Sequence, residues 1–302
     1  MIDRTRNSAP IYIPSKGRAR SRLTMRSLDK MRCDYKIIIE TQEFAEYAQF
    51  NDPARLLVLD PAYQRDYDAL DALGLSKSKG PGPARNFAWD HAIASGARHH
   101  WVMDDNIAYF FRLIDNQHIP VADGAILAAM EAYIDRFSNM AMAGPNYFMF
   151  APRKRKIPPY ILNTRIYSCN LIRNDVPFRW QGRYNEDTDL SIRMLKAGWC
   201  TVQFNAFLQN KQATQSMKGG NTKEFYAQEG TALKSAMLKA LHPDVVKTIR
   251  RFGREHHYVD YRRAFAHLRP RLKPGLVLEP GVDEYGMELV HLGEDATLET
   301  VI

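Results

Sequence analysis

An α/β fold built from parallel βαβ units is what this chain of 302 residues predicts, and three observations predict it. Short β-branched or apolar runs alternate with helix-length stretches through the first half, the order that lays strands side by side with helices over the sheet faces. The runs end in polar residues, and open parallel sheets bind ligands at the carboxyl ends of their strands. Hydrophobic residues make up 45% of the chain against 25% charged, the balance of a folded protein and not of a disordered one.

The elements follow in order. Pro10-Ile-Tyr-Ile-Pro14 is the first strand, stopped by a Pro-Ser-Lys-Gly-Arg loop, because an apolar run closing on Pro and Gly reads as a buried strand and its turn. Residues 21–31 read as a helix, the run 35–40 (Tyr-Lys-Ile-Ile-Ile-Glu) as the second strand, 43–50 as a short helix, and 54–59 as a third strand closed by Asp60-Pro61. After a polar stretch at 62–79, Gly80-Pro-Gly-Pro83 opens a helix over 84–95, with Pro83 at its first position and Gly96 as its stop. His99-His-Trp-Val-Met103 is the fourth strand and ends on Asp104-Asp105-Asn106.

The second half continues with a helix at 123–137 capped by Asp123. Strand-like runs at 140–150 and 161–172 flank the basic loop Arg153-Lys154-Arg155-Lys156, and 180–186 is a polar loop. A helix at 187–196 is ended by Ala197-Gly198, a strand covers 200–207, and helices are expected at 225–241 and 244–268.

The charge is unevenly spread. The formal net charge is +8, yet from Leu276 onward the chain holds seven acidic and no basic residues. That leaves 42 basic against 27 acidic residues before it, a net of +15. A basic body suits polyanionic partners, although basic domains without such partners also exist. No run approaches the roughly 20 apolar residues of a membrane helix, and Met1–Ser8 contains no apolar signal core. Three cysteines, Cys33, Cys169 and Cys200, make neither a disulfide framework nor a metal finger. A soluble, reduced, cytoplasmic protein with no membrane partner is expected.

Two motifs carry chemistry. Trp101-Val-Met-Asp-Asp-Asn-Ile107 puts two carboxylates and an amide at a strand's end, where they can hold a divalent cation through oxygen or simply form a turn. Tyr184-Asn-Glu-Asp-Thr-Asp-Leu190 brings acidic residues into a helix N-terminus, where the macrodipole stabilises their ionised form. A carboxylate held ionised in a cleft can act as a general base on an alcohol, and it can equally be a cap.

Taken together, the order and separation of these motifs resemble the inverting nucleotide-sugar glycosyltransferases of GT-A fold. Ile11-Tyr-Ile-Pro-Ser15 looks like that family's first strand, Glu40 like its carboxylate at the second strand's end, and Gly82-Pro-Ala-Arg-Asn86 like its Gly-x-Ala-Arg-Asn helix start. The resemblance covers residues 10–215. It implies a GT-A (Rossmann-like) fold with a mixed central sheet, and a nucleotide-sugar donor of UDP-Glc or UDP-GlcNAc type. That donor would be held by Pro14, Ser15, Lys16, Arg18, Glu40, Arg85, Asn86 and Asp104. A divalent metal, Mn or Mg, would sit on Asp105 with Asp104 on the ribose or a metal-bound water, Asp187 would be the base, and Glu186 would touch the acceptor or stand behind the residues that do. The chain has Asn106 where the commonest pattern, Asp-x-Asp, has its second Asp.

A narrower resemblance is carried by Ile13-Pro-Ser-Lys-Gly-Arg18, Asp-Asp-Asn, Asn185-Glu-Asp-Thr-Asp189 and His256-His-Tyr-Val-Asp-Tyr261. These segments look like the TET-associated glycosyltransferases, found largely in phages. Membership would imply sugar transfer to 5-hydroxymethylcytosine in double-stranded DNA, in a phage-infected or bacterial cell.

The organisation expected is a GT-A domain at 1–222, a helical basic C-terminal extension at 223–275 and an acidic tail at 276–302. The extension interleaves Arg250, Arg251, Arg254, Arg262 and Arg263 with aromatics, which suits phosphate contact and base stacking and also suits a solvated helix face. Arg153 and Lys154 are further candidates for phosphate contact. His256-His257 could serve a metal or diphosphate, or be structural, and Lys218-Gly-Gly-Asn-Thr222 could be a closing loop or a plain turn. Rival functions are transfer to protein, lipid or glycan, a catalytically silent nucleic-acid-binding module, and a nucleotidyltransferase. The last would want a richer Gly loop than Pro14–Arg18 supplies. The sequence leaves the oligomeric state open.

Overall fold

The computed structural model describes residues 7–70, 79–153, 157–212, 232–251, 253–276 and 281. In chain order the elements are β1 (Ile11–Pro14), α1 (Leu23–Lys30), β2 (Lys36–Ile39), α2 (Phe44–Ala48), β3 (Leu56–Val58), α3 (Pro61–Asp66), α4 (Gly82–Ala94), β4 (His99–Met103), β5 (Ile107–Ile114), β6 (Gln117–Pro120), α5 (Ala125–Asp135), β7 (Met140–Tyr147), β8 (Tyr160–Leu162), β9 (Cys169–Arg173), α6 (Glu186–Lys196), β10 (Cys200–Lys211), α7 (Ala232–Leu241), β11 (Val246–Arg251), β12 (Arg254–Val259) and α8 (Tyr261–Ala264).

One large mixed sheet runs β3-β2-β1-β4-β9-β7-β10-β5-β6, with β8 pairing β10. Strands β1 to β4 are mutually parallel, β9 is antiparallel to both β4 and β7, and β7 is parallel to β10. Strands β1, β2, β3, β4, β7 and β10 therefore all point their carboxyl ends to one edge. The turns after Pro14, Ile39, Met103 and Tyr147 start from that edge, as does the end of β10 at Lys211. The α/β architecture with a mixed sheet expected from the sequence is the one found.

Period-two side-chain alternation builds a three-layer core. Ile11, Ile13, Ile37, Ile39, Trp101 and Met103 pack with α1, α2 and α5 on one face. Tyr12, Ile38 and Val102 point the other way and pack with α4, and Trp89 of α4 meets Leu190 and Met194 of α6 against the same face of β7 and β9. Glu131 is tied into the first layer by accepting Trp101 Nε1–H at 2.7 Å. Cys33, Cys169 and Cys200 are free and buried. Among the described residues no helix is long and apolar enough to cross a membrane.

Several expectations need correction. Residues 244–268, read as one helix, form the antiparallel hairpin β11–β12 and the single turn α8, so the extension's basic part is not helical. The spacing of Phe252, Val259 and Phe265 suggested a helix, but the β-branched run Val245, Val246, Thr248, Ile249 before Gly253 favours a strand and turn. Gly253 takes φ 73°, which a side chain would resist. The polar stretch at 62–79 contains α3, whose cap Asp60 accepts the amide of Ala62 at 2.8 Å. Strands β5 and β6 were not anticipated at all, and β10 extends four residues beyond Phe207. The Lys218–Thr222 loop, Lys154 and nearly all of the acidic tail lie outside the described residues.

Residues beyond 222 share a core with the sheet domain. Leu238 of α7, Val246 of β11 and Phe265 pack with Ile192 and Leu195 of α6. Asp189, 1% exposed, accepts His242 Nε2 at 2.9 Å and Arg193 Nε at 2.7 Å. The extension thus braces the helix whose N-terminus carries Glu186 and Asp187. Leu238→Ala should destabilise the protein by about 2–5 kcal/mol, read by urea denaturation. A loss below ~0.5 kcal/mol would show that the extension does not support α6.

Candidate active site

The cleft, of about 260 Å³, lies over the carboxyl ends of β1, β2, β4 and β10 and is closed by the N-termini of α4 and α6. Its floor is set by the turn Asp104–Asn106. Thr24, in α1, fixes that turn: its hydroxyl donates to the Asp104 carbonyl and accepts the Ile107 amide at 2.9 Å. Asn106 does the same from the other side, because its Nδ2 donates to the Gln212 carbonyl and its carbonyl accepts the Gln212 amide, both at 3.0 Å. An Asp in that position could accept but not donate. The amide in place of the second Asp of Asp-x-Asp therefore pins the end of β10, and with it Lys211, beside Asp104.

Arg85 is the hub. Pro83 in its first turn opens α4, and the packing of Gly82 fixes where the helix starts. A Cβ on Gly82 would fall 1.9 Å from Tyr67 Oη, and that hydroxyl is committed to the Gly182 carbonyl at 2.8 Å. The Arg85 side chain is 3% exposed, stacks on the Trp180 ring at 4.5 Å, and pairs with Asp104 at 3.0 Å, Glu186 at 3.1 Å and Asp187. Burial opposes its charge, but these three carboxylates outweigh burial and hold the guanidinium firmly protonated.

The remaining charges are balanced locally. Lys211 Nζ donates to Asp104 Oδ2 at 2.6 Å and to Ser168 Oγ at 2.8 Å. Burial would raise the Asp104 carboxyl, yet Lys211 and Arg85 hold it well below the usual range. Asp105 accepts Arg18 Nη1 and, at 2.8 Å, the Ser15 hydroxyl, which also meets Tyr47 Oη at 2.7 Å. Burial raises Asp105 in spite of Arg18.

Asn185 enters α6 in the left-handed region at φ 53° and donates to the Lys234 carbonyl at 2.8 Å. Glu186 and Asp187 then fall in the first turn, where the helix dipole favours their anions. Burial nevertheless raises both, against the pull of Arg85, with Glu186 reaching about 7 under the added repulsion of Asp187. Burial, together with repulsion from neighbouring carboxylates, makes a proton on the Glu186–Asp187 pair easier to keep.

The carboxylates that a divalent ion would need are already paired in this structure: both oxygens of Asp104 meet cations and those of Asp105 meet Arg18 and Ser15, while Asn106 gives its Nδ2 to Gln212 and keeps its Oδ1 buried without a partner. Among the described residues no three His, Cys, Asp or Glu converge as ligands. Binding an ion at Asp104 would force a second positive charge against Lys211 at low dielectric.

Of the residues singled out from the sequence, Pro14, Ser15, Lys16, Arg18, Glu40, Arg85, Asp104, Asp105, Glu186 and Asp187 all line the cleft. Lys16 Nζ and Gln64 Nε2 meet Glu40 at 3.1 and 3.0 Å. Asn86 does not line it. Its amide exchanges two 2.9 Å bonds with the Trp180 backbone, so it orients the ring beneath Arg85. Arg153, Arg250, Arg251, Arg254, Arg262 and Arg263 are exposed and lie outside the cleft wall. His256 and His257 sit on β12, away from it. Lys211, Arg183, Tyr184 and Lys234 line the cleft unforeseen. For Lys211 the signal was available, a lone lysine closing an otherwise apolar and amide strand.

A sequence model of the family described as TET-Associated Glycosyltransferase matches residues 9–220. No curated protein matches the chain.

Arg85→Met should leave three carboxylates without their shared cation and cost about 3–5 kcal/mol near neutrality. In the variant Glu186 and Asp187 lose the charge that opposes burial and lie further above their unfolded values, so the deficit shrinks as pH falls and they take up protons. Denaturant midpoints at pH 5 and pH 8 check this, and a deficit independent of pH would disprove the shared-cation account.

Proposed function

The chain belongs to the TET-associated glycosyltransferases, and from that premise we propose that it transfers a sugar from a nucleotide-sugar, of UDP-Glc or UDP-GlcNAc type, to the hydroxymethyl group of 5-hydroxymethylcytosine in DNA with inversion. The observation that carries the reading is the single buried guanidinium of Arg85, which ties a helix-N-terminal carboxylate, Asp187, to the strand-end carboxylate Asp104 in one cleft.

The donor lies across the ends of β1, β2 and β4, with Glu40 toward the nucleoside and Lys16 and Arg18 toward the phosphates. Asp187 accepts the proton of the acceptor hydroxyl. The oxygen attacks the anomeric carbon from the face opposite the diphosphate, and the anomeric C–O bond breaks with its electron pair leaving on the nucleoside diphosphate. Lys211 and Arg85, both beside Asp104, supply the positive charge that meets the leaving group. Fixed charges of this kind act strongly in a dry site and need no reorganisation. Glu186 adds a negative charge that keeps the neighbouring base proton-hungry.

Incubation with duplex DNA containing 5-hydroxymethylcytosine and a panel of UDP-sugars, in chelator and in Mn²⁺, followed by nucleoside mass measurement, tests the reading. A sugar mass gain that survives chelator is expected. No gain with any donor would exclude this acceptor and turn attention to protein, lipid or glycan. A gain only with Mn²⁺ would overturn the Lys211–Arg85 role.

Asp187→Asn should lower kcat by about a hundredfold or more with donor affinity kept, and wild-type turnover in that variant would remove Asp187 as the base. Activity should fall on the acid side, because burial lets the Glu186–Asp187 pair take up its proton above the ordinary carboxylate range. Glu186→Gln, lacking the neighbouring charge, should carry that acidic limb to lower pH. A limb that stays in place would separate Glu186 from the titration.

A further inference from the structure

The sheet divides the catalytic edge in two. The nucleotide half is β3-β2-β1-β4, and the other half holds β9, β7 and β10. Immediately after β7 comes the turn Phe148–Phe150, which holds the most exposed large apolar side chain among the described residues. Met149 is 73% exposed and Phe150 53%.

Two neighbours anchor the pair. Phe148 packs on His118 and Phe111, with ring centroids 4.2 and 4.7 Å away. Ala151 is fully buried and its carbonyl accepts His118 Nε2 at 2.7 Å. The turn is therefore clamped on both sides and presents its two apolar side chains outward, although burying them would be favourable.

The pair is close to the chemistry. The Phe150 ring lies 5.6 Å from Tyr147, whose hydroxyl meets Ser168 Oγ at 2.6 Å, and Ser168 in turn holds Lys211 on Asp104. Basic residues follow it in the chain and reach its surroundings through Tyr167, whose ring lies 4.6 Å from that of Tyr147. Arg153 is exposed three residues on, and Arg165 stacks on Tyr167 at 5.1 Å. Arg165 also adjoins the hairpin, where burial, aided by Arg165 and His256, lowers His257 to about 4. The hairpin's exposed surface carries Arg250, Arg251 and Arg254.

Resting on the DNA reading above, we propose that Met149 and Phe150 form an apolar wedge that enters the base stack of duplex DNA and fills the gap left when the acceptor nucleotide turns into the cleft. Apolar side chains inserted at a base step offset the cost of unstacking, and an enzyme working on a base benefits from taking it out of the duplex. The charge selects this occupant: an exposed apolar pair accompanied by exposed arginines matches bases accompanied by a phosphate backbone. A second copy of this chain would instead bring like charges together.

The test uses the full-length Met149→Ser/Phe150→Ser protein and one hydroxymethylated sequence offered as duplex and as single strand. Transfer to the duplex should fall about tenfold or more, with single-strand transfer within about twofold of wild type because no stack needs opening. Phe150→Trp should keep duplex activity. 2-Aminopurine beside the acceptor base should brighten on binding Asp187→Asn and stay dim when the wedge is also removed. Equal loss on both substrates, no loss on either, or a wild type confined to single strands would overturn the wedge while leaving the DNA reading standing. Absence of transfer to any DNA would overturn both.

Discussion

The structure depends on keeping one buried guanidinium surrounded by carboxylates. Arg85 is as deeply buried as a core leucine, and a charge moved there alone would cost several kcal/mol. It is tolerated because Asp104, Glu186 and Asp187 reach it from a strand end and a helix start, and because the Trp180 face lies against it. Each supporting contact is itself constrained. Gly82 must be small for Tyr67, Asn86 must hold the Trp180 backbone, and Asn185 must turn left-handed to aim the first turn of α6. None of these three touches a reacting atom in the proposed mechanism, yet each fixes where a charged group stands.

Much of this was legible in the sequence. The strand ends were, because apolar runs of four or five residues stopped by Pro, Glu or Asp leave little choice of element. The two acidic motifs were too, since a strand end and a helix start are the two places where carboxylates are least expensive to hold ionised. The partners were not legible. Nothing local to Arg85 says that it closes on residues about one hundred positions later, and nothing local to Lys211 says that Asn106 pins its strand beside Asp104. The hairpin at Val246–Val259 was misread for a related reason. Basic residues with occasional aromatics satisfy a helical spacing as easily as a strand alternation, and only β-branching and Gly253 distinguish them.

The basic excess of the chain also divides by place. Arg18, Arg85 and Lys211 are consumed in neutralising cleft carboxylates, so they add little to the field outside. The exposed arginines of the hairpin and Arg153 face solvent and make up part of that outer field. A net charge alone cannot separate these populations, because steering at long range is set by solvent-facing charge and stability at the site by buried charge.

The same separation explains how one carboxylate can be both ionised and basic. At Asp187 burial raises the pKa and Arg85 lowers it, and two unit charges at contact distance interact by about 4 kcal/mol or more at an effective dielectric near 20. Arg85 alone would therefore make Asp187 a permanent anion too weak to take a proton. Sharing the guanidinium among three carboxylates dilutes that pull, and Glu186 next door opposes it. The result is a carboxyl raised above its ordinary value, the direction that suits the base proposed at Asp187. Lys211 completes the arrangement by holding Asp104 as a fixed anion, so Asp104 does not compete for a proton with the pair at the head of α6.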